Sequence, residues 1–149
     1  MILAMDNYKH VRSYLSLLLS HLVTPELVVG SRDGLHRIDL LNTSWVKHRK
    51  LKEIVSLDFG SDPSLIYWSD RNTINLLDLH NGDTKEILFH HDGVKLLVES
   101  LAVDGPANKL YWANSVQGAI YVGDLRNRRS VELIKKNLDS PRAIVVGKG

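Results

Sequence analysis

The chain has 149 residues, a length that favours one domain, and its 44% hydrophobic and 24% charged residues are typical of a folded globular protein. With 19 Lys and Arg against 17 Asp and Glu, the net charge of +2 gives no strongly basic field of the kind that nucleic-acid-binding proteins carry. The lack of cysteine excludes a disulfide scaffold and a thiol nucleophile. No apolar run reaches the roughly 18 residues that a membrane-spanning helix requires.

Residues 1–24 differ in composition from the rest of the chain. Lys9 and Arg12 precede an apolar stretch over 14–23, which is the outline of a secretory signal. His21 interrupts that stretch, and no A-x-A cleavage pattern follows it. We therefore predict an N-terminal extension that is helical or disordered. A degenerate signal segment is one interpretation of it; the others are a short amphipathic or buried segment, or an extension unrelated to the fold.

From residue 25 onwards the sequence repeats. Residues 66–70 (IYWSD) recur as residues 110–114 (LYWAN), a shift of 44 positions, and the segment at 56–59 recurs at 100–103 with the same shift. Clusters of Gly, Asn and Asp separate short runs rich in Val, Ile, Leu, Tyr and Trp, which is the pattern of strands joined by turns. A partial copy precedes these two units and another follows them.

Four short strands in each repeat of about 40–45 residues indicate the blade of a β-propeller. We predict an all-β fold, a partial β-propeller of about three four-stranded blades. The units cover about 25–53, 54–97 and 98–139, and 140–146 are the first strand of a next unit. The first unit lacks its own first strand.

The two YW segments, with LAVD at 101–104 and SPRAI at 140–144, resemble the YWTD repeats, also called low-density lipoprotein receptor class B repeats. The resemblance covers 25–146 and implies the six-bladed propeller found in lipoprotein receptors, related endocytic and Wnt co-receptors, sorting receptors and nidogen. Six blades need roughly 260 residues, so we interpret the chain as a fragment of a larger receptor or an abbreviated product. The residues that carry the motif are Tyr67, Trp68, Asp70, Tyr111, Trp112, Asn114, Pro141 and Arg142.

Tyr67, Trp68, Tyr111 and Trp112 lie in second strands, where aromatic side chains bury large areas between blades, so we predict core packing for them. Binding is expected at exposed loops on one rim. The topology places the loops after the second strands and the loops that join successive blades on that same rim. The candidate ligand-binding residues are Arg71, Asn72, Ser115 and Gln117 in the first kind of loop and His90, His91 and Asp92 in the second.

Asn42, followed by Thr43 and Ser44, fits the N-x-[ST] acceptor of N-glycosylation in a predicted surface turn. Together with the signal-like segment and the resemblance, it favours an extracellular or cell-surface setting. We predict a non-enzymatic ligand-binding module from a lipoprotein-receptor-related endocytic or signalling receptor. The resemblance implies protein ligands such as lipoproteins or secreted signalling proteins.

No cofactor, metal or nucleic-acid partner is predicted, and self-association of the incomplete propeller is left open. Two alternatives remain at this point. One is a propeller hydrolase with a central metal held by carboxylates from several blades. The other is a truncated product without a function of its own.

Overall fold

A computed structural model describes residues 2–5, 12–14, 26–41, 43–48, 51, 53–87, 96–127 and 131–147. Every regular element in those ranges is a β-strand, and the strands form three sheets, so the predicted all-β fold is confirmed. None of the described residues belongs to a helix long and apolar enough to cross a membrane. The chain divides into two compact units, Met1–Val55 and Ser56–Gly149.

The first unit holds one five-stranded sheet, here called sheet 1. Its strands are β1 (Ile2–Met5), β2 (Arg12–Tyr14), β3 (Glu26–Ser31), β4 (Gly34–Asp39) and β5 (Trp45–His48), in the order β2-β1-β3-β4-β5. The last three form an antiparallel meander, whereas β1 pairs with β3 in parallel. The helical or disordered extension predicted from the sequence is therefore wrong at 2–5 and 12–14. The edge of β3 leaves backbone N–H and C=O groups to be paired, and β1 pairs with them.

The second unit holds two four-stranded antiparallel meanders. Sheet 2 consists of β6 (Ser56–Phe59), β7 (Leu65–Ser69), β8 (Ile74–Asp78) and β9 (Thr84–Ile87). Sheet 3 consists of β10 (Ser100–Asp104), β11 (Lys109–Asn114), β12 (Ala119–Asp124) and β13 (Val131–Lys135). Each sheet has the four strands in chain order that the repeat predicts for a blade.

Sheets 2 and 3 pack face to face through their first strands. Ser56 Oγ accepts a hydrogen bond from Leu101 N, and Asp58 Oδ2 accepts one from Val103 N, both at 2.8 Å. Because both residue numbers rise by two between these bonds, β6 and β10 run in the same direction. Trp112, 3% exposed, stacks on Tyr121 with 5.6 Å between ring centroids. The buried core between the sheets consists of Ile74, Ile87, Val98, Leu101, Leu110, Trp112, Ala119 and Tyr121.

Residues 140–146 differ from the strand predicted for them, because they pair with none of the strands that the structure describes. A strand exists only through its ladder of backbone hydrogen bonds, and here one bond to a side chain takes its place. Ile144 N donates to Ser100 Oγ at 3.2 Å, which repeats the bond from Leu101 N to Ser56 Oγ. Ile144 therefore has the same position relative to sheet 3 as Leu101 of β10 has relative to sheet 2.

Candidate functional site

The two sheets of the second unit present corresponding turns at the same end, because β6 and β10 run in one direction. The turns between second and third strands, at 70–73 and 115–118, form what we call the 2–3 end. The turns between first and second strands, at 60–64 and 105–108, form the opposite, 1–2 end. Val98 N donates to Arg71 O at 2.7 Å, so the segment that enters β10 also lies at the 2–3 end.

The 70–73 turn is held by one carboxylate. Asp70 Oδ1 accepts hydrogen bonds from Asn72 N at 3.0 Å, from Thr73 N at 2.8 Å and from Thr73 Oγ1 at 3.0 Å. These bonds force Arg71 to a φ of +84°, a backbone conformation that L-residues with a Cβ adopt at a cost. The side chains of Arg71 and Asn72 are exposed.

The 115–118 turn is held by an amide in the same position. Asn114 is 0% exposed; its Oδ1 accepts from Gln117 N at 3.0 Å, and its Nδ2 donates to Gln117 Oε1 at 2.9 Å. Tyr121 Oη also donates to Gln117 Oε1, at 2.7 Å. An amide donates as well as accepts, whereas a carboxylate only accepts. The amide of Asn114, which replaces the usual acidic residue of the repeat, thus suits Gln117 as a hydrogen-bond partner. In the same way the carboxylate of Asp70 suits Thr73.

Glu99 joins the two turns to the segment that follows sheet 3. Its Oε2 accepts from Ser115 Oγ, and its Oε1 contacts Arg142 Nη1, both at 3.5 Å. Glu99 directly follows Val98, which bonds to the carbonyl of Arg71. The predicted motif residue Arg142 therefore lies at the 2–3 end, and most of its side chain is in solvent.

The exposed surface of the 2–3 end combines two guanidinium groups with one apolar side chain. Val116, at the tip of its turn, is 77% exposed. Its neighbours Ser115 and Gln117 are candidates from the sequence, whereas Val116 is not. Val116 could have been found from the sequence, because it is an apolar residue inside a turn of otherwise polar residues. The surface comprises Arg71, Asn72, Val116, Gln117 and Arg142.

The structure places the other predicted residues as follows. Trp68 is 8% exposed and buried like Trp112, while Tyr67 and Tyr111 are half-buried. Pro141 is half-buried, and Thr43 and Ser44 of the glycosylation tripeptide are exposed. The remaining candidates, His90, His91, Asp92 and Asn42, lie outside the described residues.

Asp58 is the acidic group between sheets 2 and 3. Burial raises the pKa of its carboxyl group above the ordinary value of 3.8, although hydrogen bonds from Val103 N and Phe59 N act in the opposite direction. Its oxygens accept those two backbone hydrogen bonds at 2.8 Å each. Asp58 therefore connects the sheets rather than facing a substrate.

Sheet 1 carries a charged cluster near its own turn between β3 and β4. Asp33 accepts hydrogen bonds from Ser31 Oγ and Lys47 Nζ, and its Oδ1 lies 3.2 Å from His36 Nε2. These contacts, that of Lys47 above all, hold the pKa of the Asp33 carboxyl well below its usual range. Asp33 and Lys47 are exposed, and their contact fixes the turn and β5 to each other.

The 1–2 end contains a small cleft of about 170 Å³, lined among others by Gly60, Tyr67 and Val103. Sites for drug-sized molecules usually measure about 300–1,000 Å³, so the cleft is small for an organic substrate. Among the residues that the structure describes, no three acidic or histidine side chains lie close enough together to hold a metal ion.

Residues 108–146 match the family model described as low-density lipoprotein receptor repeat class B. The structure is similar to a chain from the crystal structure of a nidogen/laminin complex, with a TM-score of 0.64 and 22% identity over 82% of this chain and 49% of that chain. It is also similar to a chain of hydrazine synthase from Kuenenia stuttgartiensis, with a TM-score of 0.50 and 20% identity over 63% of this chain and 26% of that chain.

The present chain thus spans about half the length of the chain it matches in the nidogen/laminin complex. At these identities the structural likeness concerns the fold alone. The family model adds independent support over β11, β12, β13 and the SPRAI segment. The resemblance predicted from the sequence is confirmed over residues 108–146, which match the low-density lipoprotein receptor class B repeat, in a chain that folds like part of a β-propeller.

Proposed function

We propose that this chain is a non-enzymatic, extracellular interaction module that binds a protein through its 2–3 end. The observation that carries the proposal is the exposed Arg71, whose φ is +84° in a turn held by the Asp70 carboxylate and by the hydrogen bond from Val98 N to Arg71 O. Glycine adopts that conformation more easily than arginine does. A large cationic side chain at such a position is a binding residue rather than a contribution to folding.

The chemistry of the 2–3 end indicates the kind of partner. Val116 lies exposed in a turn whose neighbour Ser115 contacts Glu99, the partner of Arg142. Arginine is enriched at the energetically important centres of protein interfaces, and a small apolar group supplies area that loses water on binding. The complementary surface is therefore a protein with carboxylates around an apolar contact.

The capped turns also favour binding through pre-organisation. Asp70 and Asn114 fix the backbone of both turns before any partner arrives, which reduces the ordering cost of association. The likeness to a chain from the crystal structure of a nidogen/laminin complex supports a protein rather than a small ligand.

The kind of receptor to which the chain belongs, and the ligands of that receptor, are also proposed. The class B repeat supports membership of a lipoprotein-receptor-like endocytic or signalling receptor, with lipoproteins or secreted signalling proteins as ligands. Glycosylation at Asn42 belongs to the same extracellular setting. Expression through a secretory pathway, followed by N-glycosidase treatment, is expected to lower the apparent mass of the chain but not that of a Ser44→Ala, Thr43→Ala double variant.

Binding is tested with the full chain immobilised and two soluble probes, laminin and low-density lipoprotein particles, followed by interferometry. Val116→Ser removes the apolar contact of the 2–3 end and is expected to weaken binding of the recognised probe about 10-fold, a loss of about 1.4 kcal/mol. Pro106→Ala is the matched control, because Pro106 is an exposed turn residue of the same sheet at the opposite end. Equal affinities for the two variants would contradict the assignment of the 2–3 end.

A further inference from the structure

The cleft at the 1–2 end lies between the first turns of sheets 2 and 3. Residues of the 60–64 and 105–108 turns line it, together with Leu65, Tyr67, Val103 and Leu125. Its volume is about 170 Å³. A cavity of about 150 Å³ holds one benzene molecule, so this cleft has room for one side chain. We propose that the cleft is a second binding site, which takes a single arginine side chain of a protein partner.

Two glycines give the cleft its shape. The two turns touch at Gly105, where a Cβ would lie 2.5 Å from Ser61 Oγ, a distance that leaves no room for a side chain. Gly60 lies beside Tyr67, and a Cβ on Gly60 would come within 3.2 Å of the ring atom Cε2. The space between Gly60 and the ring is therefore open because residue 60 has no side chain.

Apolar side chains form the part of the lining that adjoins the protein core. Tyr67, Val103 and Leu125 are half-buried and pack against the buried core between sheets 2 and 3. An arginine side chain has a stem of methylene groups, which loses water when it lies along such a surface. Its planar guanidinium group also contacts aromatic rings favourably, and Tyr67 supplies such a ring. The apolar part of the lining thus suits the stem of an arginine.

Asp62 supplies a negative charge to the cleft. Its Oδ1 accepts hydrogen bonds from Ser64 N at 2.8 Å and from Ser64 Oγ at 2.7 Å, and its Oδ2 accepts none from the residues that the structure describes. The bonds from the Ser64 hydroxyl and N–H hold the pKa of the Asp62 carboxyl group below its ordinary value of 3.8, and the charge of His80 acts in the same direction. Asp62 is therefore a carboxylate at neutral pH, with one oxygen available to a ligand.

The charge and the polar groups of the lining favour arginine over other occupants. Of the residues that the structure places around the cleft, Asp62 is the sole charged one, so a cation is the complementary group. Ser61 and Asn108 also line the cleft, are exposed, and carry oxygen atoms that accept hydrogen bonds. The forked donors of a guanidinium group reach several such oxygens, whereas a lysine ammonium acts as a point charge. A free amino acid would bring an α-carboxylate for which this lining offers no cation, which favours an arginine within a protein.

An NMR titration of the full, isotope-labelled chain with N-acetyl-arginine N-methylamide tests the site. The backbone amide signals of Asp62, Leu65 and Val103 are expected to shift until saturation, while that of Val116 at the 2–3 end stays unchanged. The neutral citrulline analogue, the lysine analogue and free L-arginine are each expected to bind about 5-fold more weakly. Equal affinity for any of these three, or shifts confined to the 2–3 end, would overturn the proposal. The inference does not rest on the proposed binding at the 2–3 end.

Substitutions then locate the site. Asp62→Asn removes the charge but keeps an oxygen for Ser64 N, so the fold is retained and affinity for the arginine probe is expected to fall about 5-fold. Asp83→Asn is the matched control, because Asp83 is an exposed aspartate at the same end of sheet 2 that does not line the cleft. Gly60→Ala narrows the space beside Tyr67 and is expected to weaken binding as well. Equal affinities of the two aspartate variants, or an unchanged affinity of Gly60→Ala, would refute the site.

Discussion

Replacing Asn114 with aspartate tests whether the side chain that holds each turn is matched to the residue three positions later, as Asn114 is to Gln117. The variant N114D keeps an acceptor for Gln117 N but loses the donor that reaches Gln117 Oε1 at 2.9 Å. It also places a carboxylate, at a site with 0% exposure, against an amide oxygen that already accepts from Tyr121. The variant should therefore be less stable than the original chain, although it restores the acidic residue typical of the repeat.

The magnitude follows from two contributions. A lost buried hydrogen bond costs about 1 kcal/mol, and a carboxylate buried with incomplete hydrogen bonding costs about 1–3 kcal/mol more. We expect the free energy of unfolding to fall by about 2–4 kcal/mol, which lowers Tm by about 5–15 °C in a chain of this size. The double variant N114D/Q117T recreates the Asp70 and Thr73 pair, so it should recover about half of the loss. Recovery is partial because Tyr121 loses its acceptor on Gln117.

Urea denaturation followed by tryptophan fluorescence measures all four members of this cycle. A second signature is the pH dependence of N114D. Burial raises the pKa of the introduced carboxyl group, and its protonated form again donates a hydrogen bond to Gln117. Its stability deficit should therefore shrink as the pH falls and grow as the pH rises through that raised pKa. An N114D variant as stable as the original chain, or a Q117T change that adds its own loss without rescue, would refute the matched-cap account.

Two further substitutions have outcomes that the structure predicts. Gly118→Ala should destabilise the chain by about 2–4 kcal/mol, because φ is +59° and a Cβ would lie 2.4 Å from Leu138 O. Gly82→Ala is its control: φ is +75° but no atom lies within 4 Å, so only the backbone cost of about 1–2 kcal/mol remains. Asp58→Asn should flatten the stability profile as the pH rises above 3.8, the ordinary pKa of an aspartate carboxyl group. The folded-state pKa of Asp58 is raised, so the original chain loses stability as pH rises through that value, and the variant does not.

The part of the fold that the sequence predicts is the part built from neighbouring residues. Turn residues such as Asn81 and Gly82 mark the ends of strands, and the strands of sheets 2 and 3 appear between them. Asn81 Oδ1 accepts from Asp83 N, a bond that needs no distant partner. Local chemistry of this kind is visible in a single sequence.

The failures of prediction concern partners that lie far apart in the chain. Nothing in the composition of 2–5 indicates a strand, because the edge of β3 that pairs with it is more than 20 residues away. Residues 140–146 have the sequence of a first strand but pair with no strand in the described part of the chain. At the candidate site, the exposure of Val116 and the contact between Glu99 and Arg142 depend on how the turns meet, which a repeat pattern does not specify.

If the side chains of the 2–3 end serve binding rather than folding, Arg71→Gly should change affinity and leave stability nearly unchanged. Relief of the strained φ and the added freedom of glycine nearly cancel, so the free energy of unfolding should change by less than about 1 kcal/mol. Affinity for the recognised probe, laminin or low-density lipoprotein, should fall about 10-fold or more. A large loss of stability together with unchanged affinity would contradict the account, because Arg71 would then be a folding residue.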